Sequence, residues 1–303
     1  MKTLVTIVLG WNGLALTRAT LDSLAACRVP EGWAAKVMVV DNASSDGSPA
    51  AIAAEYPWVD LVALPGNLRF AGGNNVGITR ALESGADAIM LLNNDVVADP
   101  GLYEKLLAAL AERTKAGAAA PLIYHALPSR VIWYAGGVCD PAWARSAHVG
   151  IREHDRGQYR SIETTGYLTG CCLMATAECW RKVGLLDEGY FIYAEDADWS
   201  LRAREAGYEL LFVPTARLWH MVSASSGGAA SGWKLYQRTR ANARLWARHA
   251  RGAAALTSRA SFWAQHAALL FVLALRGNFA GARGVARALA DDMAGRDPAE
   301  VKL

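Results

Sequence analysis

Three acids fall within four residues at Glu195, Asp196 and Asp198, among the aromatic residues Tyr190, Phe191, Tyr193 and Trp199. Acids in a first helical turn meet the positive end of the macrodipole, and that alone accounts for them as stabilising residues. A helix-start carboxylate facing a cleft is also suited to take the proton of an attacking hydroxyl, as a general base must. Asp196 and Glu195 are the candidates for that role, with Tyr193 and Trp199 offering apolar faces to an acceptor ring. Asn93-Asn94-Asp95 follows the apolar run 89–92. A carboxylate with amides at a strand end suits a hard cation such as Mg²⁺ or Mn²⁺ bridging phosphates. The competing reading is a turn leading into the helix start at Asp99-Pro100. His220 precedes a Ser/Gly run at 223–228. It is either a structural histidine or the residue that completes a metal site opposite Asp95, with the run closing over phosphates.

Asp41 ends another apolar run, where a carboxylate can accept the N–H of a pyrimidine ring. The residues from Asn42 to Gly47 read equally well as an Asx-bonded turn. Gly72-Gly73-Asn74-Asn75, ahead of a helix, has the look of a glycine loop that lets phosphate approach. GxGxxG is absent there and from Gly10-Trp11-Asn12-Gly13, which argues against a dinucleotide cofactor. No Ser–His–Asp elbow, HExxH or Walker A run supports a hydrolase or phosphate-loop reading.

These residues need a scaffold, and the periodicity supplies one. Residues 4–9, 36–40, 61–64 and 88–92 are continuous apolar runs bounded by turn residues, as expected of strands buried on both faces. Residues 17–27, 49–55 and 74–84 between them have helical spacing. Such alternation predicts a parallel sheet with right-handed crossovers, whose ligands bind beyond the carboxyl ends of the strands. The clusters at 41–47, 67–77 and 93–95 then converge on one sheet edge. The alternation lapses from 117 to 166. It resumes with an apolar stretch at 169–175, helices at 178–183 and 195–206, a final strand at 208–213 and a long basic helix at 233–251.

The chain has 303 residues, 53 % hydrophobic and 19 % charged, enough apolar material for a sizeable core. The net charge of +3 hides an asymmetry: from Trp233 onward there are twelve Lys/Arg against four Asp/Glu. Arg240, Arg244, Arg248 and Arg251 recur at helical spacing along one face. The apolar stretch 262–275 is too short for a span of about 20 residues. Together they read as an anionic-membrane contact, or as a solvated face beside a core helix or oligomer contact. No recognisable module supports nucleic-acid binding. The five cysteines lack CxxC or zinc spacing and read as reduced, mostly buried thiols. Lys2 with the apolar run 3–9 superficially suggests a signal peptide. Trp11-Asn12-Gly13 ends that run too early, so a first strand and a cytoplasmic chain are expected.

In combination, these motifs resemble the family 2 glycosyltransferases. The resemblance is carried by Val5-Thr6-Ile7-Val8 through Trp11-Asn12-Gly13, Val40-Asp41-Asn42-Ala43-Ser44-Ser45-Asp46-Gly47-Ser48 and Asn67-Leu68-Arg69-Phe70-Ala71-Gly72-Gly73-Asn74-Asn75. It continues through Leu92-Asn93-Asn94-Asp95, Thr169-Gly170 and Gly184-Leu185-Leu186-Asp187-Glu188. It closes with Glu195-Asp196-Ala197-Asp198 and Arg202, Gly207-Tyr208 and His220, over about residues 3–250. The nearest branch is the bacterial rhamnosyltransferase-like enzymes of surface-polysaccharide assembly, with galactofuranosyltransferases as neighbours. The resemblance implies an α/β GT-A fold, with a mostly parallel sheet flanked by helices and a C-terminal helical extension. A divalent cation, Mg²⁺ or Mn²⁺, and single-displacement inversion are implied with it.

By the same resemblance, Asp41 is the base-contacting acid, Asp95 and His220 the metal ligands and Asp196 the general base. The nucleotide-sugar site would gather Trp11, Asn12, Asp41, Asn42, Asn67, Gly73, Asn74, Asn94 and Asp95. Residues 1–232 would be catalytic, with a nucleotide half at 1–116 and an acceptor half at 117–232, and 233–303 an extension able to dimerise or meet the inner face of the cytoplasmic membrane. The implied activity moves rhamnose from dTDP-rhamnose to a saccharide or lipid-linked hydroxyl. Alternatives are galactofuranosyl or other hexosyl transfer from a UDP-sugar, a sugar nucleotidyltransferase, or a polysaccharide-binding protein without activity. A nucleotidyltransferase would be expected to carry a basic glycine loop after the first strand, and here no basic residue comes before Arg18. Two departures stand out: Arg69, where the family more often has Gly, and Asn93, in place of the first acid of the metal motif.

Overall fold

The computed structural model describes residues 1–221 and 231–296. The amino-terminal half alternates as expected: β1 (Lys2–Gly10), α1 (Leu14–Ala25), β2 (Trp33–Asp41), α2 (Ser48–Glu55), β3 (Val59–Ala63), α3 (Arg69–Glu83), β4 (Ala88–Asn93), β5 (Val96–Ala98) and α4 (Leu102–Glu112). The second half adds β6 (Ala116–His125), β7 (Ile132–Tyr134), β8 (Gly137–Asp140), β9 (Arg145–His148), β10 (Glu163–Thr164), β11 (Cys172–Thr176), α5 (Ala177–Val183), α6 (Glu195–Glu205) and β12 (Glu209–His220). Three helices follow, α7 (Gly232–His249), α8 (Ala253–Leu275) and α9 (Phe279–Met293).

The main sheet runs β10-β12-β6-β11-β4-β1-β2-β3, and β8 and β9 form a separate hairpin. Strands β1 to β4 are mutually parallel where they pair, whereas β11 runs antiparallel to both β4 and β6. The register matters for function. Gly10 lies opposite Asp41, and Leu9 lies opposite Asn93. The chain therefore leaves β1, β2 and β4 at one level, and their three polar loops emerge side by side. Strands β1 and β4 are buried through residues 4–8 and 88–92, with apolar side chains on both faces.

Two expectations need correcting. The lapse in alternation hides β6, ten residues long and buried through the first nine. Its run of Ala with Gly117 and Pro121 has poor strand propensity. It is a strand because its neighbours leave room only for small side chains, since a Cβ on Gly117 would stand 2.6 Å from the Tyr208 ring. Pro121, which has no N–H to donate, pairs with Val213 where β12 breaks register before Arg217. Second, α3 begins at Arg69, so Gly72-Gly73-Asn74-Asn75 is helix and not a glycine loop. The apolar stretch 262–275 is the C-terminal part of the 23-residue α8. No described helix is long and apolar enough to cross a membrane.

Helices α7 to α9 do not stand apart from the rest. Leu235, Leu245, Trp246, Phe262 and Val285 share a second buried cluster with Ala197 and Leu201 of α6 and with Tyr167 and Tyr190. The helix that carries the candidate base thus rests on the C-terminal helices on one side and on the main core on the other. The four cysteines at 139, 171, 172 and 179 are buried and all five are unpaired, as expected. Burial raises the Cys27 thiol to about 12, so even this partly buried one is unreactive.

Candidate active site

At the ends of β1 and β2, most of the expected nucleotide-site amides tie loops together. The Asn12 N–H donates to Ser44 Oγ (2.7 Å), and Asn12 Oδ1 accepts from the Ser45 N–H (2.9 Å). Asn42 Oδ1 accepts from the Leu68 N–H (2.7 Å) while its Nδ2 donates to the Arg69 carbonyl (3.0 Å). Asn94 Nδ2 donates to Thr17 Oγ1 (2.9 Å), and Asn67 Oδ1 accepts from the Arg69 N–H (2.8 Å). Asp41 is buried at the strand end, with Oδ1 accepting from the Ser44 N–H (2.8 Å). Trp11, 60 % exposed, stands on the same rim. These loops are fixed to one another around the strand end that carries Asp41.

Gly73 and Asn74 are not part of an open loop. A Cβ on Gly73 would lie 2.5 Å from Leu9 Cδ1, and one on Gly77 2.7 Å from Ile7 Cγ2. These glycines let α3 approach β1 closely. Asn74 is buried, with Nδ2 donating to the Phe70 carbonyl (2.9 Å) and Oδ1 left without a partner. Its neighbour Asn75, absent from the expected site, holds the 184–188 motif: Nδ2 donates to the Leu186 carbonyl and Glu188 Oε1, and Oδ1 accepts from the Leu186 N–H.

Asp95 and His220, 125 positions apart, are brought together by the pairing of β5 with β12, in which His220 lies opposite Val96. The Met221 N–H donates to the Asp95 carbonyl (2.7 Å), and Asp95 Oδ1 stands 3.2 Å from His220 Nε2. That contact lacks hydrogen-bond alignment, so Asp95 Oδ1 is a buried acceptor without a bond, and His220 Nδ1 also has no partner. Two ligands at about 2.1 Å from one cation on adjacent octahedral vertices lie about 3.0 Å apart, so the pair fits a divalent ion. Only two protein ligands converge: among the described residues no cluster of three or more His, Cys, Asp or Glu forms a closed metal site. Remaining coordination positions would then fall to phosphate oxygens and water, as is usual for Mg²⁺. Trp133, unforeseen in the sequence, sets its ring edge-on to His220 (4.7 Å) and His148 (4.5 Å). The Ser/Gly run 223–228, expected to close over phosphates, lies outside the described residues.

The acids of α6 separate into two groups. Glu195 is buried with Oε2 unpartnered, and Asp196 accepts from the Gly170 N–H at Oδ2 (2.8 Å). Burial, and then the neighbouring Asp196 charge, push the Glu195 carboxyl up to about 8. Burial also raises Asp196, opposed by the N–H groups of Gly170 and Ala197 that stabilise its anion. Burial thus favours the protonated form of Glu195, while the Gly170 and Ala197 N–H groups favour the anion of Asp196. Tyr193 and Ala194, both with left-handed backbone (φ 70° and 67°), deliver the chain into this helix. Non-glycine residues in that region cost about 1–3 kcal/mol each and need surroundings that hold them. The segment 170–171 joins the two halves of the site. Gly170 bonds Asp196, and the next residue, Cys171, accepts at its carbonyl from the Asn93 N–H (3.0 Å).

Asp198 and Trp199 face the other way. Asp198 is fully buried and bonded by Arg202 Nε (2.9 Å), His249 Nε2 (2.8 Å) and the Tyr190 hydroxyl (3.3 Å). Burial raises its pKa, but the bonds from His249 and Arg202 prevail and it is held below the ordinary range. Trp199 is 0 % exposed, packs tilted against Trp180 with ring centroids 4.4 Å apart and donates to the Gly184 carbonyl. It cannot touch an acceptor; being apolar and on the inner side of α6, it packs the core. Tyr193 remains partly exposed at the helix start.

The basic face of α7 is engaged by acids, although Arg244 and Arg248 remain exposed. Arg244 and Arg248 pair with Asp187, and Arg248 also reaches Asp198. Arg240 is buried and pairs with Asp292. Three of the four stripe arginines therefore clamp α7 to the catalytic motifs and to α9, and the stripe is not a free cationic surface. Arg69 is exposed, and its guanidinium lies 4.2 Å over the Phe191 ring.

Comparisons with known proteins agree with this architecture. The profile described as glycosyltransferase like family 2 matches residues 3–244. An N-acetylglucosaminyl-diphospho-decaprenol L-rhamnosyltransferase of Mycobacterium tuberculosis (strain ATCC 25618 / H37Rv) is 31 % identical over 209 residues, covering 63 % of this chain and 68 % of that protein. The low-salt glycan biosynthesis hexosyltransferase Agl10 of Haloferax volcanii is 24 % identical, covering 56 % of this chain and 53 % of that protein. Among solved structures, GalNAc-T7 with UDP, GalNAc and Mn²⁺ superposes with a TM-score of 0.63 at 18 % identity, covering 79 % of this chain; the chain spans 47 % of that structure. The mannosyltransferase PcManGT from Pyrobaculum calidifontis, with GDP-Man and Mn²⁺, gives 0.58 at 17 %, covering 99 % of this chain and 76 % of that one. The chain therefore belongs to glycosyltransferase family 2 and has the GT-A fold.

Proposed function

We propose that this glycosyltransferase moves a hexosyl group, rhamnose from dTDP-rhamnose as the first reading, to a hydroxyl of a lipid-linked saccharide in bacterial surface-polysaccharide assembly. The observation that carries the mechanism is the placing of Asp196 at the start of α6, bonded to the Gly170 N–H, while the next residue, Cys171, bonds Asn93 two positions before Asp95 of the Asp95–His220 pair. Asp196 takes the acceptor proton as the hydroxyl oxygen bonds to the anomeric carbon and the bond from that carbon to the phosphate oxygen breaks. Base and leaving group then act from opposite faces of the sugar, which inverts the anomeric centre without a covalent enzyme intermediate. Asp95 and His220 would hold Mg²⁺ or Mn²⁺, which supplies Lewis-acid charge to the departing nucleoside diphosphate. Asp41 reads the base from its strand end, with Trp11 on the rim and Asn12, Asn42, Asn67 and Asn94 fixing the loops around it.

The donor and acceptor classes rest on the rhamnosyltransferase relative, whose name specifies a lipid diphosphate acceptor. We further propose that residues 1–232 form the catalytic part and that the helices from 233 onward serve it. A thermal-shift panel of dTDP-, UDP- and GDP-sugars with and without Mn²⁺ tests the donor. Stabilisation by dTDP-rhamnose that needs the metal is expected. Stabilisation by a UDP-hexose instead would transfer the assignment to hexosyl or galactofuranosyl chemistry, and no response to any nucleotide sugar would contradict the proposal.

A further inference from the structure

The outer face of α8 has no protein partner among the described residues. Leu256, Ala260, Ala264, Ala267, Phe271 and Leu275 recur at i+4, i+4, i+3, i+4 and i+4, which places them on one stripe of the helix, and all six are exposed. Leu256 is 76 %, Phe271 65 % and Leu275 72 % exposed, and Phe279, at the start of α9, continues the patch at 66 %. The opposite stripe, Ser258, Phe262, His266 and Leu273, is the buried one. From Arg259 to Arg276 the helix carries no charged residue. A surface helix should place polar residues outward, and here the outward side is apolar.

The charges at its margins point to what covers it. No acid occurs between Glu209 and Asp291. Arg259, Arg276 and Arg283 are exposed, and unlike Arg240, Arg244 and Arg248 of α7 they make no ion pair among the described residues. Trp143, 61 % exposed, is held beside α8 by Ser261 Oγ and Gln265 Nε2, which both donate to its carbonyl. An apolar stripe edged by arginines and an aromatic ring has the composition of a helix lying in the plane of a lipid surface. A second copy of the chain fits less well. A two-fold contact across this stripe would set the same unpaired arginines against one another, and α8 itself carries no acid to offset them.

We propose that α8 rests its outer face on an anionic lipid bilayer, with Leu256, Phe271, Leu275 and Phe279 entering the interface and Arg259, Arg276 and Arg283 meeting the headgroups. The helix lies on the membrane and does not cross it. This deepens the proposed lipid-linked acceptor, since a transferase docked there meets its acceptor at the surface. Vesicle binding is measured without any sugar transfer, so this inference and that reading can fail separately.

The test is co-sedimentation of the full chain with vesicles of phosphatidylcholine alone and of phosphatidylcholine with phosphatidylglycerol. Binding to the anionic vesicles is expected, weakening as salt rises because the headgroup field is screened. Phe271→Asp with Leu275→Asp should weaken it at least tenfold, and Arg276→Ala about fivefold on anionic vesicles alone. Both variants change exposed residues, and circular dichroism with unchanged nucleotide-sugar stabilisation verifies that they fold. Absence of binding to either vesicle, or binding that both variants retain, would overturn the proposal. Equal affinity for the two vesicles overturns the anionic assignment. A wild-type dimer that becomes monomeric in the Phe271→Asp, Leu275→Asp variant and never sediments with lipid would assign the face to a second copy.

Discussion

Replacing Asp196 by Asn separates chemistry from architecture at the helix start. The amide keeps the size of the side chain and an oxygen for the Gly170 N–H, so the 2.8 Å bond that ties α6 to segment 170–171 survives. What is lost is the proton acceptor. A positioned general base contributes about 10²–10⁴-fold, or about 2.7–5.4 kcal/mol of barrier at about 1.36 kcal/mol per decade. If the acids only served the macrodipole, the same change would cost about 0.3–1 kcal/mol of stability and leave turnover intact. Asp198→Asn provides the contrast. It would leave His249, Arg202 and Arg248 around a neutral amide in a buried site, and breaking such a pair costs about 3–5 kcal/mol. It should therefore lower the melting temperature far more than turnover per folded molecule. The assay is turnover at saturating donor and acceptor, beside donor affinity by calorimetry. Asp196→Asn is expected to bind donor like the wild type and turn over at least a hundredfold more slowly. Near-normal turnover in Asp196→Asn with collapse in Glu195→Gln would move the base by one residue. Normal turnover in both would leave the helix start purely structural.

Glu195, with its pKa raised to about 8 from an ordinary 4.5, binds its proton more tightly in the folded than in the unfolded chain. Its contribution to stability is therefore complete below about pH 4.5 and is lost as pH rises through about 8, at about 1.4 kcal/mol per pH unit inside that window. Melting temperatures between pH 5 and 8.5 should fall less steeply in Glu195→Gln than in the wild type; parallel curves would contradict the buried protonated acid. Gly73→Ala puts a methyl against Leu9, which is only partly buried and can yield, while the helix gains about 0.5–1 kcal/mol in backbone entropy. A small net stability change with unaltered donor affinity is expected by calorimetry. A tenfold loss of affinity in a stable variant would return Gly73 to the phosphate site.

The nucleotide half was legible because parallel strands buried on both faces announce themselves as continuous apolar runs, and β1 to β4 match those runs to within three residues at each end. Their ends carry the polar loops, so Asp41 and Asp95 could be placed from the strand pattern. The second half was opaque where packing overrides propensity. The Ala/Gly/Pro composition of β6 gives no strand signal, and its identity depends on a bulge in β12 far along the chain. The site residues that sequence missed act through partners in space. Trp133 matters because β7 sets its ring against His220, and Asn75 because it bonds a motif over a hundred residues away. Helical spacing grouped Arg240, Arg244 and Arg248 correctly, but no pattern within α7 could show that Asp187 and Asp292 face them. For the same reason Trp199 looked like an acceptor platform, when its side of α6 is the inner one.

The central claim is that sugar transfer depends on a cation held between Asp95 and His220, and the most direct measurement is release of nucleoside diphosphate from the donor by the full chain. Release should require acceptor and Mn²⁺ or Mg²⁺, and should fall at least a hundredfold on chelation. Asp95→Ala and His220→Ala should each show a comparable loss while melting within a few degrees of the wild type. Release that persists in full under chelation, or a folded His220→Ala variant with wild-type metal dependence and rate, would contradict it.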